Sequence, residues 1–172
     1  QLAAAGWTVT AIDQSESRLA RLAENLERTN QSAEVVTADL REWAPKDQVD
    51  AILVDAPCSA SGIFRRHPDV LYRVRPAIVA EMAALQRVIL ARAADWLKPG
   101  GALVYATCSL EPEEGENQIA AFLAERPDYA LVPIAGEWPG ITDKGTIRTL
   151  PTMLAKEGRL DGFFIAMLQR KG

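Results

Sequence analysis

The chain has 172 residues, of which 48% are hydrophobic and 24% are charged, and no stretch approaches the roughly 20 apolar residues that a membrane span requires. Its formal net charge of −4 argues against a strongly basic nucleic-acid binder, so contact with a polyanion would need a local patch. Two cysteines and one histidine argue against a disulfide framework and a zinc site, and we expect a cytoplasmic domain with reduced thiols and no metal.

The first half of the chain predicts short apolar strands that each end at an acidic residue. These strands, with their acids, are 8–12 with Asp13, 34–37 with Asp39, and 51–54 with Asp55. Ser15 is a favoured capping residue for a helix over 16–29, between the first two strands. The alternation is typical of an α/β fold with a parallel sheet, in which the three carboxylates lie at the same strand ends and the run 51–54 is buried on both faces.

The second half predicts one long helix and three further strands. Residues 59–75 show no regular pattern, whereas Pro76 is a favoured early residue for a helix that reaches Leu97 with a core stripe from Ile78 onward. The motif 98–101 predicts a turn after this helix. The further strands are 102–106, 129–133 and 162–168. The last two predict an antiparallel hairpin at the end of an otherwise parallel sheet.

Both cysteines follow predicted strands. Cys58 lies in the sequence Asp-Ala-Pro-Cys-Ser, and Cys108 lies in Thr-Cys-Ser. Because catalytic groups gather at the carboxyl ends of parallel strands, we expect the two thiols to face one pocket. Thiols are strong nucleophiles, and the polar neighbours of both cysteines favour catalysis over core packing, which is the alternative for such a pair.

Four glutamates follow the second cysteine and precede a run that predicts another helix. They are Glu111, Glu113, Glu114 and Glu116. Carboxylates interact favourably with the positive end of a helix. We therefore expect these four acids to have a structural role.

The strand-end aspartates are candidates for contacts with a nucleoside. An ionised carboxylate offers only acceptors, so Asp13 is suited to hold both hydroxyls of a ribose. Asp39 is suited to accept a hydrogen bond from the exocyclic amine of an adenine. Each aspartate taken singly is equally compatible with a helix cap or a turn.

These motifs together resemble those of the RNA cytosine-5 methyltransferases. The segments 55–62 (DAPCSASG) and 105–109 (YATCS), followed by 111–117 (EPEEGEN), look like the two cysteine motifs of that family, and the likeness is greatest to the bacterial 16S ribosomal RNA methyltransferase B (Sun/Fmu) family. It extends to 67–69 (HPD) and 161–164 (DGFF). The resemblance implies a class I, Rossmann-like methyltransferase fold, S-adenosyl-L-methionine as cofactor and 16S ribosomal RNA as substrate.

The resemblance also implies roles for individual residues. Cys108 matches the nucleophile that adds to carbon 6 of the cytosine, and Cys58 matches the cysteine that is needed to release the product. Asp13 and Asp39 match contacts to the adenosine of the cofactor. Asp55 matches a residue beside the cofactor and the target base.

A rival interpretation comes from DNA cytosine-5 methyltransferases, whose nucleophile is the cysteine of a Pro-Cys motif. Pro57-Cys58 and Glu116-Asn117 imitate two motifs of those enzymes. Gln118 stands where they have valine, and the Thr-Cys-Ser motif would have no purpose in that interpretation. The RNA family therefore explains more of the sequence.

Residues 64–75 form an arginine-rich segment that contains four arginines and two aromatic residues against one acid. Arginines pair with phosphates and aromatic rings stack on unpaired bases, so the segment is a candidate for RNA contact. The candidates in and near it are Pro57, Arg65, Arg66 and His67. A solvated surface loop is the alternative.

We expect residues 1–172 to be the C-terminal part of a single catalytic domain and to act as a monomer. The family's glycine-rich motif, its first strand and its N-terminal RNA-binding domain would all precede Gln1. Since the first strand pairs with those that end at Asp13 and Asp55, the isolated chain is expected to bind cofactor weakly or to be inactive. The alternatives are an enzyme that acts on transfer RNA and a non-catalytic relative that binds cofactor or RNA.

Overall fold

The computed structural model describes all 172 residues and divides them into two units, 1–44 and 45–172. The elements of the first unit are β1 (Thr10–Asp13), α1 (Glu16–Arg28) and β2 (Glu34–Thr37). The two strands pair in parallel, as predicted. Helix α1 begins where the sequence indicates because the side chain of Ser15 accepts a hydrogen bond from the backbone N–H of Arg18.

The second unit contains a five-stranded sheet. Its elements are β3 (Val49–Asp55), α2 (Val70–Arg73), α3 (Pro76–Asp95), β4 (Leu97–Thr107), α4 (Glu116–Glu125), β5 (Tyr129–Val132), β6 (Ile147–Thr149) and β7 (Phe163–Arg170). The strand order is β3-β4-β7-β5, and β6 also pairs with β7. Strands β3 and β4 are parallel, whereas β7 runs antiparallel to β4, β5 and β6. The antiparallel C-terminal strands agree with the sequence, but β6 was not predicted.

Strand β3 is covered on one face only. Ile52 is half-buried and Val54 is buried, whereas Ala51 and Leu53 are exposed, and Leu53 exposes 56% of its surface. The prediction that the run 51–54 is buried on both faces is therefore wrong. The alternation is the period-two pattern of a strand with one solvent-facing side.

Helix α3 begins at Pro76 as predicted, but its buried face differs from the expected one. Ile78 is 37% exposed, so the predicted stripe is wrong at its start. The buried residues are Val79, Gln86, Ile89, Leu90, Ala93 and Ala94. Gln86 is a polar side chain with no exposed surface, and its partners lie in the candidate site described below. No helix combines the length and apolar composition that crossing a membrane requires.

Two connections also differ from the prediction. The motif 98–101 is not a turn but an irregular part of β4, where the pairing with β3 shifts register between Val49 and Ala51. The stretch 59–75, for which no regular structure was predicted, contains the 3-10 turn Ser61–Ile63 and the single-turn helix α2.

Candidate active site

The two cysteines lie in loops that continue the parallel neighbours β3 and β4: the Cys58 loop (residues 56–63) and the Cys108 loop (residues 108–111). Asp55 is in register with Ala106, so both strands leave the sheet at the same level. The Sγ atoms of Cys58 and Cys108 are 3.4 Å apart, and both thiols are free and half-buried. The structure thus brings together the two residues that the sequence predicts to share a pocket.

The two thiols have opposite pKa shifts. A hydrogen bond from Cys58 stabilises the thiolate of Cys108 and lowers the pKa of Cys108, although burial and the carboxylate of Asp55 oppose this shift. The same hydrogen bond, together with burial, raises the pKa of Cys58. The pair therefore favours a thiolate on Cys108 and a protonated thiol on Cys58, which suits a nucleophile beside a proton-carrying partner.

Backbone hydrogen bonds join the two loops to the segment before β7. The N–H of Gly62 donates to the carbonyl of Cys108 at 2.9 Å, and the N–H of Gly162 donates to the carbonyl of Gly62 at 2.8 Å. A Cβ atom on Gly62 would clash with the carbonyl oxygen of Gly162, so the close contact between these two backbone segments requires glycine at position 62. Gly62 and the segment 161–164 thus have a structural role in holding the Cys58 loop.

Glu114 also lies in this site, although its place just before a helix predicts only a structural role at the helix end. It ends the 3-10 turn Pro112–Glu114 and has no exposed surface. Its Oε1 accepts hydrogen bonds from the Ser59 N–H at 2.8 Å and from Gln86 Nε2 at 3.1 Å. Its Oε2 accepts from the hydroxyls of Ser59 and Ser109, both at 2.5 Å. The carboxylate therefore faces both cysteine loops, rather than the helix end for which it was predicted.

Arg148, on the unpredicted strand β6, contacts the Cys108 loop from the other side. Its guanidinium donates to the carbonyl of Ser109 at 2.5 Å and to the carboxylate of Glu116 at 2.5 and 2.9 Å. It also lies 4.9 Å from the ring centre of Phe164. Burial works to raise the pKa of Glu116, but the hydrogen bonds and charge of Arg148, together with a backbone hydrogen bond and the charge of Lys144, lower it overall. Arg148 therefore fixes the backbone directly after Cys108.

The weaker substrate candidates lie in or next to the Cys58 loop. Pro57 and His67 are exposed, and so are Arg65 and Arg66. Both arginines form ion pairs with Asp161, whose side chain is only 7% exposed; Arg65 Nη2 lies 3.7 Å from the carboxylate and Arg66 lies closer. The charge of the arginines is thus partly neutralised, and their exposed surface remains available to an anion.

Asp13 and Asp39 lie at the ends of the first unit's strands. The Oδ1 of Asp13 accepts from the Ser15 N–H at 2.8 Å and lies 3.1 Å from Nη2 of Arg18, whereas neither contact involves its Oδ2. Asp39 accepts from the backbone N–H of Arg41 at 2.8 Å and from its guanidinium at 2.6 to 3.1 Å. A ribose hydroxyl therefore fits Asp13 as it stands, whereas an adenine amine fits Asp39 only after Arg41 moves.

The chain contains no group of three or more His, Cys, Asp or Glu side chains arranged to hold a metal ion. Asp55, the remaining predicted site residue, is exposed at the end of β3. It lies close enough to Cys108 for its charge to oppose ionisation of that thiol, by raising its pKa. The structure thus places Asp55 with the two cysteines.

Comparison with known proteins gives consistent matches over nearly the whole chain. The family model described as 16S rRNA methyltransferase RsmB/F matches residues 1–169. The ribosomal RNA small subunit methyltransferase B of Vibrio cholerae is 43% identical over 166 residues, which are 95% of this chain and 36% of that protein. The protein of the same name from Enterobacter sp. (strain 638) is 46% identical over 164 residues, or 94% of this chain and 36% of that protein.

Among solved structures, NSun6 from Pyrococcus horikoshii superimposes with a TM-score of 0.80 at 30% identity, over 96% of this chain and 42% of that one. The structural neighbours confirm the predicted Rossmann-like fold of class I S-adenosylmethionine-dependent methyltransferases. The chain spans about a third of the length of the curated relatives it matches.

Proposed function

Because the chain belongs to the 16S rRNA methyltransferase RsmB/F family, we propose that it carries the catalytic cysteines of an enzyme that methylates carbon 5 of a cytosine in 16S ribosomal RNA, with S-adenosyl-L-methionine as methyl donor. The observation that carries this proposal is the pair of free thiols 3.4 Å apart at the ends of two parallel strands. Two facing thiols with opposite pKa shifts suit a reaction that must both form and break a covalent bond to the base.

Cys108 is proposed as the nucleophile. Its thiolate adds to carbon 6 of the cytosine, and the electron pair of the 5,6 double bond makes carbon 5 enamine-like. S-adenosyl-L-methionine, when bound, supplies an electrophilic methyl group for that carbon. Loss of the proton from carbon 5 then restores the double bond and expels Cys108 as a thiolate.

Cys58 is proposed for the release step. Its pKa is raised chiefly by the hydrogen bond to Cys108. When Cys108 becomes a thioether, it is no longer an anion, so Cys58 can ionise by losing its proton to solvent. The Cys58 thiolate then accepts the proton from carbon 5, and expulsion of Cys108 restores the resting pair.

For the cofactor, we assign Asp13 to the ribose hydroxyls and Asp39 to the adenine amine. The unoccupied lone pairs on Oδ2 of Asp13 support its assignment, and Asp39 serves only if Arg41 turns away. Asp55 is assigned to the cofactor and the target base, supported by its exposed place beside Cys108. An ionised carboxylate can accept hydrogen bonds from a hydroxyl or an amine in each of these roles.

Covalent trapping tests the proposal. The full-length protein with Cys58→Ala, Cys108→Ala or both would be incubated with S-adenosyl-L-methionine and 16S ribosomal RNA, and then run on a denaturing gel. We expect only Cys58→Ala to stay attached to RNA, because it forms the thioether but does not release it. Attachment of Cys108→Ala alone would reverse the two roles. Absence of turnover by the wild-type protein on 16S ribosomal RNA, with turnover on transfer RNA, would identify a different substrate.

A further inference from the structure

We propose that Glu114 is a positioning residue that clamps the Cys58 loop to the Cys108 loop, and so sets the distance between the two thiols. This inference deepens the proposed function and rests on it. Glu114 does not touch the reacting atoms; it acts through the serine that directly follows each cysteine. No role at the site was expected for it from the sequence.

The first support is the pattern of hydrogen bonds to its carboxylate. All four donors come from the protein, and three of them belong to the serines next to the cysteines: the N–H and hydroxyl of Ser59 and the hydroxyl of Ser109. The fourth is the side chain of Gln86, which also donates to the carbonyl of Pro57 at 2.8 Å. One buried carboxylate thus contacts both loops and the helix beneath them.

The second support is the rigidity of the backbone that carries this carboxylate. The carbonyl of Glu114 accepts hydrogen bonds from the hydroxyls of Tyr105 at 2.9 Å and Thr107 at 3.4 Å. Both residues have no exposed surface and lie on β4, the strand that leads into Cys108. Glu114 is therefore fixed to the sheet, and its side chain transmits that fixed position to the Cys58 loop.

The third support is the sign of its charge. A carboxylate near Cys108 disfavours the thiolate, and the charge of Glu114 works to raise the pKa of Cys108. Glu114 forms no ion pair with an arginine or lysine that would offset this effect. A glutamate placed there for electrostatics would oppose the chemistry, so its contribution is geometric.

The geometric role predicts different effects for two substitutions that remove the same charge. In Glu114→Gln, the amide oxygen keeps the N–H donors of Ser59 and Gln86, and the amide nitrogen can donate to the two serine hydroxyls, which accept as well as donate. In Glu114→Ala, all four contacts are lost and the loops are no longer joined by a side chain. Glutamine should therefore preserve the thiol pair, and alanine should separate it.

The test measures alkylation of Cys108 by iodoacetamide against pH in the full-length protein without RNA, with the modified peptide identified by mass spectrometry. We expect Glu114→Ala to shift the profile to higher pH and to slow alkylation at pH 7 roughly tenfold, the factor for loss of a hydrogen bond to a charged group. Cys58→Ala should give the same shift, and the double variant no further shift. The exposed neighbour variant Glu113→Ala should match the wild type. Glu114→Gln should show no shift to higher pH and at most a small shift to lower pH, because it keeps the contacts and removes a charge that raises the pKa of Cys108.

Methylation of 16S ribosomal RNA provides the second readout. Glu114→Ala should lower kcat by roughly 100-fold, as expected for misplacement of a catalytic group by about 1 Å, with KM nearly unchanged. Glu114→Gln should restore most of kcat. If the wild-type protein methylates no RNA, the proposed function fails, whereas the alkylation profiles still decide the role of Glu114.

Three results would overturn the inference. One is an unchanged Cys108 profile in a folded Glu114→Ala variant, with folding checked by circular dichroism. Another is a shift to higher pH in Glu114→Gln as large as that in Glu114→Ala, because glutamine keeps the contacts that define the clamp. The third is a further shift of the Cys108 profile when Glu114→Ala is added to Cys58→Ala. If Glu114→Ala does not fold, Ser59→Ala replaces it. This variant should shift the Cys108 alkylation profile to higher pH by a smaller amount. An unchanged profile would contradict the clamp.

Discussion

The Cys58 loop and the Cys108 loop both carry a cysteine followed by a serine, yet they are held in place by different means. The Cys108 loop continues β4, which is hydrogen-bonded to β3 on one side and to β7 on the other. The Cys58 loop continues β3, which pairs with β4, and it contains the left-handed residue Ala60 with a φ of 59°. Cys108 directly follows β4, whereas Cys58 lies three residues beyond β3, in a loop held by contacts from Gly162, Gln86 and Glu114.

This difference matches the roles proposed for the two thiols. A nucleophile must meet a carbon atom at a defined distance, which favours a place directly at the end of a strand. A group that acts only in the release step can lie on a loop, provided that the loop is held close to the nucleophile. Four predictions follow from this difference between the loops and from the contacts that hold the Cys58 loop.

The largest difference concerns the first turnover. Removal of the nucleophile in Cys108→Ala should lower methyl transfer by a factor on the order of 10⁶. Cys58→Ala should transfer one methyl group per enzyme and then release RNA roughly 10² to 10⁴ times more slowly. Single-turnover quench experiments with labelled methyl donor, on the full-length protein, measure both steps. Equal loss of the first step in both variants would remove the distinction between the loops.

The next effect concerns the backbone hydrogen bonds of Gly62, which join the Cys58 loop to Cys108 and Gly162. In Gly62→Ala, the new Cβ would lie 2.8 Å from the carbonyl oxygen of Cys108 and closer still to that of Gly162. Both are backbone atoms, and the carbonyl of Cys108 already accepts the hydrogen bond from Gly62, so we expect the free energy of unfolding to fall by about 3 kcal/mol, the upper part of the range for overpacking. Urea unfolding with an unchanged m value measures it.

A matched control for Gly62→Ala is Gly158→Ala. Gly158 has a φ of 101°, and a Cβ atom added there would have no neighbouring atom within 4 Å, so alanine meets backbone strain without a clash. The expected loss is about 1 kcal/mol. Equal losses in the free energy of unfolding at the two glycines would show that the close backbone contact at Gly62 has no specific effect on stability.

The sequence predicted those parts of the site that depend on local order along the chain. Ser15 caps α1 and Pro76 begins α3 because a cap and a helix start depend on the nearest few residues. The two cysteines could be placed together because parallel strands end at the same edge of a sheet. These predictions required no knowledge of which side chain faces which.

The parts that were missed depend on contacts between residues far apart in the chain. Glu114 meets Ser59 across 55 residues and Gln86 across 28, and neither separation leaves a periodic signal. A glutamate just before a helix carries the same local pattern whether it faces solvent or two loops. Arg148 was missed for a related reason, since the three-residue strand β6 is too short to show alternation. Long-range polar partners therefore set the limit of prediction from one sequence.

A smaller effect distinguishes the two thiols by their ionisation. In Cys58→Ala, the hydrogen bond that stabilises the Cys108 thiolate is lost, so the pKa of Cys108 should rise toward its ordinary value and its alkylation at pH 7 should slow roughly tenfold. In Cys108→Ala, the pKa of Cys58 should fall, because its raised pKa is due first to Cys108. Rates of iodoacetamide modification against pH measure both shifts. Shifts of the same sign in the two variants would contradict the assignment of the thiolate.

The smallest expected effect concerns the arginine-rich segment that follows the Cys58 loop. Arg66 follows this loop in the sequence and is paired with Asp161, which neutralises part of its charge. If Arg66 contacts an RNA phosphate, Arg66→Ala should lower the slope of log affinity against log salt by about 0.7 and weaken binding less than about fivefold at 0.1 M salt. Filter binding of 16S ribosomal RNA by the full-length protein over a salt series measures the slope.

The control for this prediction is Lys98→Ala, which removes the same charge from the opposite end of β4. Lys98 is paired with Asp50 at 2.7 Å, and both side chains are exposed. Because neither lies near the strand ends that carry the cysteines, the slope should not change. A slope lowered equally by both substitutions would indicate that RNA affinity depends on the net charge of the protein. An unchanged slope in Arg66→Ala would mean that Arg66 serves only the ion pair with Asp161. Only a loss confined to Arg66 would make the arginine-rich segment, which follows the Cys58 loop, an RNA-facing surface.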